Sequence, residues 1–126
     1  MRLNTLLLVA GLLALGFGLG FLLVPAAVLP VYGIQPDPAT TLMSRFFGAA
    51  LVQLGAALYL VRDLREAGTQ RGLVLAGVVG STAGLAVALM GQLSGVVNVM
   101  GWSTVAIYGL LLLGYGSHLR ARPATV

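Results

Sequence analysis

Apolar residues fill four stretches of this chain, and proline, glycine and charge gather in the three short breaks between them. A transmembrane helix needs about 20 largely apolar residues. The pattern therefore predicts one all-α transmembrane domain over 1–126, an integral membrane four-helix bundle with helices at about 5–29, 38–64, 72–93 and 102–119. The start, with Arg2 ahead of Leu6-Leu7-Leu8, imitates a signal peptide. Its apolar stretch exceeds the ~7–15 residues of a signal h-region, so a retained helix is expected. Pro25 and Pro30 should kink or end it, because each removes a backbone donor and crowds the preceding turn. Asp37-Pro38 reads as a helix start, with Asp as N-cap and Pro at the first helical position. Gly68 is expected to close the second helix as its C′ residue.

Composition agrees with a bilayer environment. Charged residues are 8% of the chain, against roughly 25% in soluble domains, and the mean hydropathy is +1.01. No Cys is present, which excludes disulfides, thiolate metal sites and thiol nucleophiles. The net charge of +4 comes from seven arginines and three acids. These arginines sit at the ends of apolar spans rather than on one polar face, which argues against nucleic acid and for a topology signal or contact with anionic lipid headgroups. Arg2, Arg62, Arg65, Arg71, Arg120 and Arg122 fall on one side of a four-span chain and only Arg45 on the other. The excess predicts that both termini are cytoplasmic.

Small residues recur every four positions in the third span: Gly72, Ala76, Gly80, Gly84 and Ala88. Such a ridge lets another helix approach closely, which matters in lipid, where packing rather than hydrophobicity joins helices. The third helix is expected to be central, with Gly80 and Gly84 against a neighbour. Ala10, Ala14 and Gly18, and separately Gly16 and Gly20, repeat the theme in the first span.

Arg45 lies about two turns inside the second helix and shares a face with Gly48, Val52 and Ala56. That face is expected to point into the bundle, with Arg45 bonded to the preceding linker through Tyr32, Asp37 or free carbonyls near Pro30. Snorkelling to the headgroups is the simpler use of such a side chain. Gln53, Gln92, Asn98, Ser81 and Thr82 are expected to hydrogen-bond between helices. Arg45, Gln53, Tyr32 and Asp37 together form a candidate polar pocket or linker anchor. Trp102 suits an interfacial anchor; Tyr108 and Tyr115, seven apart, share a face. His118 is expected to be solvated at a helix end. None of the three acids lies within a span, so neither a carboxylate relay nor a carboxylate-held metal is expected. No catalytic residue, metal ligand set or cofactor motif stands out.

The segment Tyr32-Gly33-Ile34-Gln35-Pro36-Asp37-Pro38, followed by Arg45-Phe46-Phe47-Gly48, resembles an uncharacterised family of small bacterial four-helix integral membrane proteins. Those proteins carry a Tyr-Gly-Ile…Pro linker before an Arg-x-x-Gly helix start. The resemblance implies the same fold and a multi-pass location in the bacterial inner (plasma) membrane, and it brings no chemistry. The leading expectation is a non-enzymatic scaffold or accessory subunit of a larger membrane complex, with partner subunits or a homo-oligomer as associates. The alternative is binding or transport of a lipophilic small molecule, such as a lipid, quinone or carotenoid, in an intrabundle pocket.

Overall fold

The computed structural model describes residues 2–119; Met1 and residues 120–126, with Arg120 and Arg122, lie outside that range. The described chain is all-helical, with five α-helices: α1 (Leu3–Leu23), α2 (Pro25–Val28), α3 (Pro38–Val61), α4 (Ala67–Leu93) and α5 (Gly101–Leu119). A 3-10 turn, Leu29–Tyr32, follows α2. Helices α1, α3 and α4 are long and apolar enough to cross a membrane. Helix α5 has 19 residues, but Trp102, Ser103, Thr104, two tyrosines and His118 dilute its apolar character, so the fourth expected span falls short by that measure.

Two boundaries differ from the sequence expectation. The first helix stops at Leu23 instead of running to 29. Val24 leaves helical geometry at φ −134°, ψ 52°, as a residue before proline tends to do, and the chain then turns through α2. Helix α4 begins at Ala67 rather than near 72. Gly68 therefore sits in its first turn and does not terminate the helix before it. Asp37 does cap α3 as expected: its Oδ1 accepts from the Thr40 backbone N–H at 2.8 Å, with Pro38 at the first helical position.

Glycines decide how α1 and α3 meet. A Cβ on Gly48 would stand 2.6 Å from Leu22 N and 2.7 Å from Gly18 O, and one on Gly55 would stand 2.7 Å from Gly11 O. Gly11 faces Gly55 and Gly18 faces Gly48, so the antiparallel pair advances seven residues on each helix between contacts. A seven-residue repeat keeps a straight seam along a left-handed helix pair. Helices α4 and α5 use the same step with different chemistry: the rings of Tyr115 and Tyr108 occupy the space beside Gly77 and Gly84.

The two hairpins, α1–α3 and α4–α5, join through a small core of Leu3, Leu6, Leu7, Ala10, Leu58, Val74 and Tyr115. It lies near the arginine-rich end of the bundle, beside the α3–α4 connection. Helix α1 is the hub, touching α2, α3 and α5, whereas α4 packs chiefly on α5. The expectation of a central third helix is therefore corrected.

Gly48→Ala should force α1 and α3 apart and lower unfolding free energy by about 1–3 kcal/mol, the usual cost of overpacking. Gly16→Ala meets nothing within 4 Å and should be neutral or slightly stabilising, because Ala favours helix over Gly. Detergent-driven unfolding in mixed micelles separates the two.

The Thr40 N–H bonded to Asp37 holds that carboxyl below its ordinary value of 3.8. A depressed carboxylate contributes stability above its unfolded pKa and loses it as pH falls through the folded one. Amide exchange at Thr40 and Thr41 should therefore accelerate only on acidification below the ordinary carboxylate range. Asp37→Asn, which can still cap, should remove that acid dependence.

Candidate functional site: an apolar cleft between the hairpins

The hairpins touch at both ends and separate between them. At the end away from the arginines, Asn98 joins them. Its backbone N–H donates to Tyr32 O at 2.9 Å and its Nδ2 donates to Val31 O at 3.1 Å. Its Oδ1 accepts from Met100 N at 3.0 Å, and its carbonyl accepts from Gln92 Nε2 at 3.2 Å. Two matching helix stops present these groups. Gly33 at φ 76° and Gly95 at φ 77° take the left-handed conformation that glycine tolerates. Ile34 N bonds to Leu29 O and Val96 N to Gly91 O, the 6→1 closure of a Schellman stop. Gly33 also lies directly against Asn98, 3.2 Å from where its Cβ would be.

Between this latch and the Leu7–Tyr115 core lies a cleft of about 460 Å³. Leu13, Phe17 and Phe21 of α1 form one wall with Phe47 and Leu51 of α3; Val87, Ala88 and Gly91 of α4 form the other with Thr104, Ile107 and Tyr108 of α5. Phe21 and Phe47 meet edge-to-face with centroids 5.3 Å apart, beside the close approach of α1 and α3 at Gly48. The lining is almost wholly apolar, and the cleft is partly open rather than enclosed. A second groove of about 430 Å³ lies between α1 and α2 and shares Leu13, Phe17 and Tyr32 with the first.

The structure divides the sequence-derived candidates. Tyr32 and Ala88 line the cleft. Gly84 lies behind Tyr108, while a Cβ on Gly72 or Gly80 would meet nothing within 4 Å and Ala76 is exposed. A four-residue step turns 400°, so such a ridge drifts 40° per step and winds off the packed face. The seven-residue pair Gly77 and Gly84 is what α5 contacts.

Arg45 is exposed, and no hydrogen bond or ion pair of its guanidinium is found among the described residues. It does not tie the linker, which Asn98 holds instead. Gln53 is exposed on the outer side of α3 and takes no part in the cleft. Asp37 is occupied by its helix cap. Arg45, Gln53, Tyr32 and Asp37 thus do not form one polar pocket. His118 is not solvated at Nε2, which is buried without a partner among the described residues, as are Asn4 Oδ1, Gln70 Oε1 and Gln92 Oε1.

The aromatic lining from Phe17 and Phe21 escaped the sequence reading because phenylalanine is unremarkable in an apolar span. The available signal was their four-residue spacing on one face of α1. Comparison of the chain with family models, curated proteins and solved structures gives no match.

Asn98→Ala should loosen the far end while leaving the Leu7–Tyr115 core intact, since it removes two side-chain hydrogen bonds worth about 0.5–1.5 kcal/mol each. Spin labels placed through Val31→Cys and Val99→Cys in the naturally cysteine-free chain should then show a broader distance distribution by double electron–electron resonance. An unchanged distribution would mean that apolar contacts alone close this end.

Proposed function

We propose that this protein is a non-enzymatic integral membrane protein that binds or carries a lipophilic small molecule in the cleft between its two hairpins. The cleft itself carries the reading. Its volume falls in the range of small-molecule sites, about 300–1,000 Å³. It lies within the apolar length of the bundle, where lipid tails surround it. Helices in a bilayer gain nothing from hiding apolar surface from tails that are equally apolar, so a persistent gap implies an apolar occupant. The few polar atoms in the lining favour a hydrocarbon chain or ring and disfavour a charged headgroup inside. Phe17, Phe21, Phe47, Tyr32 and Tyr108 offer ring faces and edges that favour a flat, unsaturated body, such as a polyene or quinone ring, over a saturated chain.

In this proposal α5 crosses the membrane as the fourth span, completing a four-helix bundle. The described arginines Arg2, Arg62, Arg65 and Arg71 lie on one side, which supports cytoplasmic termini under the positive-inside rule. The linker and Arg-x-x-Gly resemblance supports placement in a bacterial inner membrane. Tyr32 and Asn98 would close the cleft at the opposite face, leaving lateral entry from the lipid.

Ala88→Phe should fill the cleft and weaken binding of parinaric acid, a fluorescent polyene fatty acid, by about tenfold or more. Mass spectrometry of material extracted in mild detergent should show a parallel loss of co-purifying lipophile. Ala83→Phe, on the exposed face of α4, should change neither. Equal binding by both variants would overturn the proposal.

A further inference from the structure

Helix α3 carries two seven-residue seams on opposite sides, and the chain uses only one. The inner seam, Ser44, Gly48, Leu51, Gly55 and Leu58, alternates steps of four and three. Four of these residues are buried, and the two glycines meet α1. The outer seam, Leu42, Phe46, Ala49, Gln53, Ala56 and Leu60, alternates in the same way. By helical geometry its mean direction is about 160° away from that of the inner seam. Its large members are bare: Leu42 is 51% exposed, Phe46 63% and Leu60 75%. Ala49 and Gln53 are exposed as well.

Gln53 distinguishes this seam from ordinary lipid-facing surface. It lies about 5 Å along the axis from the middle of the 24-residue helix. No hydrogen bond of its amide is found among the described residues. In hydrocarbon, water is not there to satisfy such an amide, and burying it unpaired is costly. Leu and Phe guard the ends of the seam, and alanines flank the amide, leaving room for another helix to approach it.

We propose that the outer seam of α3 is a docking surface for a second copy of this chain, forming a parallel two-fold pair centred on Gln53. The self-complementary chemistry of the amide selects this occupant. One carboxamide both donates and accepts, so the same residue on a symmetry-related copy satisfies both. A single polar residue within an otherwise apolar heptad seam sets register and pairing in the same way in coiled coils. Insertion with one common topology aligns the two α3 helices in parallel, with each Gln53 at the same depth. Arg45 lies beside the seam rather than on it, so each guanidinium can reach the headgroups without facing its counterpart. Phe47, Leu51 and Leu54 face the cleft instead, so pairing leaves the proposed binding site untouched and does not depend on it.

Because the chain has no cysteine, single-cysteine variants test the seam directly in membranes. Ala49→Cys and Ala56→Cys should cross-link to give dimers. Val79→Cys, exposed on α4, should not. Energy transfer between donor- and acceptor-labelled chains in liposomes should show Gln53→Leu dissociating about 3- to 30-fold more readily, as expected for loss of an interhelical hydrogen bond in lipid. Gln53→Asn should retain part of the pairing. Gln53 faces away from the bundle, so neither substitution should alter monomer unfolding. The proposal is overturned by equal transfer in wild type and Gln53→Leu, by cross-linking from Val79→Cys as efficient as from Ala49→Cys, or by cross-links from Ala49→Cys that capture only other proteins.

Discussion

The backbone-to-backbone approach of α1 and α3 is the constraint on which the rest of the molecule depends. In a bilayer the apolar side chains that drive soluble folding have little preference between protein and lipid. What remains is close contact, and Gly11, Gly18, Gly48 and Gly55 provide it by removing the side chains that would hold the axes apart. With α1 fixed on α3, the flank of α1 roughly a quarter-turn from the glycine seam presents Leu3, Leu6, Leu7 and Ala10 to the second hairpin. The α4–α5 pair is held differently, by two tyrosine rings set against two glycines, which gives it a thicker seam.

This difference shapes the cleft. The hairpins close on leucines, Val74 and Tyr115 at the arginine-rich end and on Asn98 at the other. Midway, α1 is committed to its glycine seam with α3, and Tyr108 is committed to Gly84. The bulky side chains there, Phe17, Phe21, Phe47 and Ile107 among them, line the space rather than bridge it. An apolar gap held open by contacts at both ends can admit a hydrocarbon guest without unfolding any helix.

Polar residues sort by whether the backbone offers them a partner. Asn98 finds carbonyls exposed where Pro30 and Gly33 interrupt helical bonding, and it becomes the latch of the far end. Gln92 adds one bond to the same loop. Arg45 and Gln53 sit on an unbroken helix whose carbonyls are already used, and both face outward. Arg45 is long enough to reach the headgroup region; Gln53 is not. That contrast in reach separates the two residues, although sequence reasoning had grouped them in one pocket.

Hydropathy and local stereochemistry determined the helical class, the Asp37-Pro38 start and the interruption at Pro25, because each depends on neighbouring residues alone; the glycine stop expected at Gly68 lies inside α4, and the actual stops at Gly33 and Gly95 were not anticipated. The partner of each glycine was not legible in that way. Glycine and alanine recur throughout the spans, so ridges with a step of four and seams with a step of seven coexist in one sequence. Only the tertiary structure chose Gly77 and Gly84 over Gly80, since a neighbouring helix follows a straight seam and a four-residue ridge winds away from it. The same choice turned Gln53 outward and Phe17 inward. Helix rotation about its own axis is fixed by the packed partner, and no local property of the chain encodes it.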